Sequence, residues 1–274
     1  MSAGEFYVKR WSAWSPGLRT WEDWLSWAGT SAPLEQSSVR LNASFVPALL
    51  RRRCSNLTRA SLEVAYAVLD ESERSEVETV FASRHGEGEV TTTILNQLAS
   101  GEALSPNDFS LSVHNTASGL FSIFAKNPSA STALSGARLS LDAALLEMFS
   151  SFLRTGSSRD VLLVIADMPC PPVFGELGKD PAYALALLCS AKPDASALDC
   201  AAVWRDDAEA SPTGGNEPGA VELLRWLFSI SLVFESKESA SRWRLIRSHS
   251  TWQQSFFPIA EQQTATPSSR AAST

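Results

Sequence analysis

Histidine and cysteine are scarce in this sequence, three and four in 274 residues. Cys54, Cys170, Cys189 and Cys200 stand far apart with no CxxC pair. That excludes zinc-type spacing and a redox dithiol, and leaves buried free thiols as the expectation. No metal site is expected either. His85, Glu87 and Glu89 offer one imidazole and two acids in a glycine loop, whereas a metal centre needs three or four convergent ligands. No apolar run approaches the roughly 18 residues of a membrane span. The opening residues MSAGEFYVKRWSAW lack a basic region followed by an apolar core, so no secretory signal is read there and a cytoplasmic protein is expected. In that compartment the Asn42-Ala-Ser and Asn56-Leu-Thr triplets carry no sugar. There is no Walker spacing and no GxSxG elbow, and no motif calls for a cofactor. A basic surplus is missing too. The net charge of −7 argues against nucleic acid as a partner.

The chain is 44% hydrophobic and 19% charged, enough apolar material for a sizeable core. Residues 5–14 read as a strand. Trp21, Trp24 and Trp27, spaced by three, share a helical face, and their role is either an interface hot spot or a local core. Arg51, Arg52, Arg53 and Arg59 form the strongest basic cluster, readable as a dock for an acidic partner or as a solvated turn. The helix that follows turns Leu57, Leu62, Val64, Ala65, Val68 and Leu69 inward. Residues 76–84 read as a strand, and 91–99 as a short helix. Residues 129–136 read as a small-residue connection. Residues 139–153 form an amphipathic helix. VLLVIA at 161–166 is continuously apolar, as befits a strand covered on both faces. Residues 182–190 add a strand, 205–219 a loop, and 220–234 a helix. Residues 241–247 form an edge strand or a surface helix. From residue 261 the composition is that of a disordered tail. Strands alternating with helices imply an α/β fold.

The organising stretch is Phe109–Lys126, FSLSVHNTASGLFSIFAK. Phe109, Leu111 and Val113 alternate with serines and read as a short strand. The chain then turns through His114, Asn115 and Thr116 into an apolar helix. A strand that turns directly into a helix places its turn residue among free N–H groups at the positive end of the dipole, a common address for chemistry. The plain alternative is a corner capped by Asn115 or Thr116.

SVHNTASGLFSI, together with ALLRRRCSNLTRASLEVA, FASRHGEGE and LLEMFSSFLR…VLLVIADMP in that order, resembles the N-terminal half of the thiolase-fold β-ketoacyl synthases. More narrowly it resembles the short ketosynthase-like subunits of aryl polyene pigment clusters. The resemblance covers roughly residues 5–230. It implies a thiolase-like half with a mixed central sheet covered by helices, as one domain over residues 1–250 with a tail at 251–274. It also implies a nucleophilic cysteine at the strand-to-helix turn. Counted back from Gly119, that position is Thr116, so no catalytic residue is expected, and His114, Asn115, Thr116, Ser118 and Gly119 would line a pseudo-active site. The second half-domain, with its two histidines, is not matched. The implied role is a chain-length-factor-like subunit that pairs with a catalytic ketosynthase and walls off its acyl tunnel. Phe109, Leu111 and Val113 would lie at that interface, and Arg51, Arg52 and Arg53 are a candidate dock for an acyl carrier protein. Two other readings stand beside it: an independent acyltransferase or hydrolase using Ser118 or Thr116, with Ser112 or His114 in support, and a structural oligomerisation module.

Overall fold

The computed structural model describes residues 4–36, 41–156, 158–192, 198–206, 218–229, 231, 233–235, 241–247, 256–257 and 259. In chain order the elements are β1 (Gly4–Trp14), α1 (Trp21–Ala28), α2 (Ala48–Arg51), α3 (Asn56–Ala67), α4 (Glu71–Arg74), β2 (Glu78–Ala82), α5 (Gly88–Ala99), α6 (Pro106–Leu111), α7 (Thr116–Ala125) and β3 (Ser131–Leu134). Then follow α8 (Ser140–Thr155), β4 (Val161–Asp167), β5 (Tyr183–Ser190), β6 (Leu198–Asp206), α9 (Gly219–Leu227), β7 (Val233–Glu235) and β8 (Ser241–Arg247).

The strands form one mixed sheet in the order β3-β2-β4-β5-β1-β6-β8-β7. β3, β2 and β4 run parallel, and every later pairing is antiparallel. Two cores cover the two faces. Along β4, Val161, Leu163 and Ile165 enter one core with α1, α8 and α9. Leu162, Val164 and Ala166 enter the other with α3 and α7. Both faces are therefore dry, which explains why β4 reads as an unbroken apolar run. β1 needs a correction to do the same. Its register shifts between Val8 and Arg10, and the extra residue flips the parity, so that Phe6, Val8, Trp11 and Ala13 all reach the same core.

The tryptophans form a local core. Trp24 stacks on Phe228 at 4.7 Å, and Trp11 meets Phe228 at 4.9 Å and Phe256 at 4.7 Å. The guanidinium of Arg225 lies 4.2 Å from the Trp27 ring and donates to the carbonyls of Trp27, Thr30 and Ala32, tying α1 to α9. Phe256 also bridges to β1, so the core reaches past residue 250. The loop at 207–217 and the tail from 260 lie outside the described residues. Residues 241–247 are a strand with a partner on each side, and the helix expected over 220–234 ends at Leu227, after which the chain re-enters the sheet as β7.

Two expectations are overturned. Phe109–Val113 is not a strand: residues 106–111 are helix α6. Ser105 accepts from the Asp108 N–H and Pro106 fills the first turn, a strong helix start that outweighs five residues of alternation. Conversely, the segment expected as a connection holds β3, which pairs with β2 from Thr79↔Ser131 to Ala82↔Leu134 and forms one end of the sheet.

Lys126 closes α7 in the left-handed region, at φ 51°. A side chain there carries a steric cost that glycine avoids. Lys126→Gly is expected to raise the unfolding free energy by about 0.5–1 kcal/mol in a urea titration.

Candidate functional site

Three parallel strands end on the same side, and the crevice beyond such carboxyl ends is where α/β sheets collect function. The segments leaving β2 (Ser83–Glu87), β3 (Ser135–Leu139) and β4 (Met168–Asp180) meet there, joined by the turn between α6 and α7.

Asp167 is the centre of this end. It is 3% exposed. The Ser83 hydroxyl donates to its Oδ1 at 2.7 Å, the Arg84 and His85 N–H groups at 2.8 and 3.1 Å, and the Tyr183 hydroxyl donates to Oδ2 at 3.0 Å. Burial pushes the carboxyl above its ordinary value, and these donors oppose the push. Asp180 repeats the pattern nearer the surface, with Arg84 Nη1 and His85 Nε2 each 2.6 Å from its Oδ2. A ring nitrogen facing a carboxylate carries the proton, so His85 donates. Glu87, 4% exposed, accepts the Thr58 hydroxyl at 2.7 Å, and burial raises its carboxyl while the hydroxyls of Ser55 and Thr58 lower it.

Among the described residues a tight strand–turn–helix corner is formed by β3, the turn Ser135-Gly136-Ala137, and α8. Thr116 does not occupy such a corner, because α7 is entered from a helix. The corner holds no thiol. Ser135 Oγ donates to the Arg84 carbonyl at 3.2 Å, and Ala137 sits at φ 52°. A Cβ on Gly136 would come 2.6 Å from the Leu139 carbonyl oxygen and 2.8 Å from its carbon. Both are backbone atoms that cannot swing aside.

The remaining sequence candidates are brought close but are otherwise employed. His114 Nε2 donates to the Ser83 carbonyl at 3.0 Å. The buried Thr116 hydroxyl shares its proton between the carbonyls of Leu111 and Val113, at 3.0 and 2.7 Å. The buried Ser118 hydroxyl donates to the Asn115 carbonyl at 3.0 Å. Asn115 is exposed and makes no side-chain cap, and Gly119 has open space beside it. Arg52 and Arg53 are exposed and Arg51 is half-buried. Arg59 leaves the surface cluster: it is buried and donates to the carbonyls of Leu41, Asn42, Arg51 and Cys54. Cys170 lies at this end, but burial first, then Asp180 and Asp167, push its thiol up and away from the nucleophilic form. Among the described residues no group of three or more His, Cys, Asp or Glu is placed to hold a metal, and no helix is long and apolar enough to cross a membrane.

Sequence reasoning missed Asp167, Asp180, Tyr183 and Gly136. The one available cue was an acid closing an otherwise apolar strand, VLLVIAD.

The mixed sheet layered by helices, with a strand–turn–helix corner at its carboxyl end, is a thiolase-like ketosynthase fold. Residues 24–253 match the family described as "Beta-ketoacyl synthase, N-terminal domain", and the chain belongs to that family. Among solved structures it is similar to a ketosynthase in complex with its chain length factor from Xenorhabdus doucetiae, at 27% identity and TM-score 0.68, covering 89% of this chain and 99% of that one. The ishigamide ketosynthase/chain length factor follows at 17% and 0.56, covering 76% and 69%. A beta-ketoacyl synthase from Burkholderia phymatum follows at 12% and 0.57, covering 81% and 68%. These last two share the fold. A comparison with curated proteins returns no match.

Asp167→Ala strands four donors and is expected to cost about 3 kcal/mol or more. Asp167→Asn keeps the acceptor facing Ser83 and the two N–H groups and is expected to cost under about 1.5 kcal/mol; urea unfolding separates the two. Glu87 predicts a pH effect. Its folded carboxyl holds a proton above the unfolded value of about 4.3. Its contribution is therefore full below that value and is lost as the pH rises through the folded one. Glu87→Gln is expected to flatten the fall in Tm on going from about pH 4.5 to neutrality.

Proposed function

We propose that this chain is a non-catalytic, chain-length-factor-type subunit that heterodimerises with a catalytic β-ketoacyl synthase. In this reading it shapes that enzyme's acyl tunnel in aryl polyene or related polyketide or fatty-acid-like synthesis. The observation that carries the reading is the corner at Gly136. The position to which the resemblance assigns a nucleophile is Thr116, whose hydroxyl is spent on main-chain carbonyls, and the turn after β3 offers no thiol, the Cβ direction of Gly136 being filled by backbone. The similarity to a complex of a ketosynthase with its chain length factor supports the pairing.

The partner strand assigned to Phe109–Val113 passes to β3, the edge that precedes the corner. Phe109 and Val113 keep a docking role on different grounds. They are exposed by 63% and 42%, with Leu111 half-buried between them, and Leu95 and Leu98 of α5 are exposed as well. An apolar surface of that kind marks an interaction site. Arg52 and Arg53, held outward by the carbonyl contacts of Arg59, are a candidate dock for an acidic carrier protein. The hydrolase reading is disfavoured because the hydroxyls of Thr116 and Ser118 are both spent on main-chain carbonyls. The oligomerisation reading loses its main support, since Trp24 and Trp27 face the core.

Co-expression with the cognate ketosynthase is expected to give a tight heterodimer on size exclusion; separate species at micromolar concentration would overturn the proposal. Gly136→Cys is expected to cost about 1–3 kcal/mol through overpacking and to yield no condensation by the isolated chain, checked with an acyl-thioester assay.

A further inference from the structure

α6 is six residues long and none of them is buried, so it lacks the core contacts that keep helices in place. Its position is instead set at its carboxyl end. The carbonyls there have no helical partners, and one buried hydroxyl takes the last of the helix and one just past it: Thr116 Oγ1 lies 3.0 Å from the Leu111 oxygen and 2.7 Å from the Val113 oxygen. Thr116 is 6% exposed and opens α7, which is seated on β2, β3 and α3. The clamp therefore ties a loose helix to a fixed one. A second tie runs through His114. Its Nε2 donates to the Ser83 carbonyl, and its ring lies so close over Gly86 that a Cβ there would come 2.8 Å from Cδ2. Ser83 is in turn held by Asp167.

We propose that Thr116, assisted by His114, is a positioning residue: it holds the Leu111–Val113 turn so that α6 and this turn present Phe109 and Val113 to the catalytic partner in one fixed arrangement. This rests on the docking role of α6 proposed above. Thr116 touches no reacting group. Its effect is to order the docking segment before the partner arrives, which removes an ordering cost from association.

The test is titration of the cognate catalytic ketosynthase with four proteins, the wild type, Thr116→Val, Thr116→Ser and His114→Ala, alongside hydrogen exchange of each free protein. Valine keeps the volume and removes the donor, whereas serine returns the donor. Thr116→Val is expected to weaken binding about tenfold and His114→Ala about threefold, with Thr116→Ser within about twofold of wild type. Amides 111–115 are expected to exchange faster in Thr116→Val while those of β4 do not change. Wild-type affinity and unchanged exchange in Thr116→Val would overturn the inference. So would exchange that rises equally in β4, because the defect would then be global, and His114→Ala, whose side chain lies at the surface, must still weaken binding. A wild type that does not bind the ketosynthase at all removes the docking role itself, and the affinity arm falls with it. Loss confined to the variants separates the two failures.

Discussion

Asp167 ends β4 with its carboxyl group out of reach of water, and four donors from two separate parts of the chain converge on it. A carboxylate so buried is costly unless it is fully hydrogen-bonded. That cost makes the arrangement specific. Ser83, Arg84 and His85 must run past Asp167 with their donors inward, and this sends the chain through Gly86 at φ 57°. The His114 ring then rests where a Gly86 side chain would be, and the Arg84 carbonyl is left to accept from Ser135 at the β3 corner. Four segments distant in sequence are fixed by one acid.

The corner at this end is tight and carries no thiol. Ala137 still adopts a left-handed backbone, a strain that persists only where the surroundings impose it. The neighbouring Gly136 has neither a side chain nor the room for one. Cys170, at the same end of the sheet, is pushed toward its protonated form by burial and then by the Asp180 and Asp167 carboxylates. Activation of a cysteine needs the opposite field, a cation or a helix N-terminus. The electrostatics of this end therefore agree with the sterics of the corner.

Much of the fold was legible because its strongest signals are local. β4 is apolar without a break, α8 carries a full amphipathic face, and Thr20 and Ser55 cap α1 and α3. The misreading exchanged two segments. Phe109–Val113 alternates but begins with Ser105-Pro106, which starts a helix, while Ser131–Leu134 is four small or medium residues with a single ladder partner and little burial to mark it. Over so short a span, periodicity cannot separate strand from turn. The motif at His114–Gly119 lies beside the carboxyl end of the parallel strands, through the contact of His114 with Ser83, but its hydroxyls serve the backbone. The contacts that build the site, Arg84 with Asp180 and Ser83 with Asp167, join residues 96 and 84 positions apart, and no local pattern announces them.

β3 also bears on the pairing proposed for this chain. An edge strand in a free protein is usually guarded by a lysine, a proline or a bulge. β3 reads Ser-Thr-Ala-Leu, with no charge and no register break against β2. Beyond it, Ile123 of α7 is 64% exposed and Phe109 of the neighbouring helix 63%. An unguarded edge and exposed apolar side chains in adjoining elements are a liability in isolation. Coverage by the proposed partner would remove that liability. The proposed pairing would also give a use to the rigidity inside, because the contacts running from Asp167 through Ser83 to His114, with Thr116 beside them, tie down the turn next to that surface.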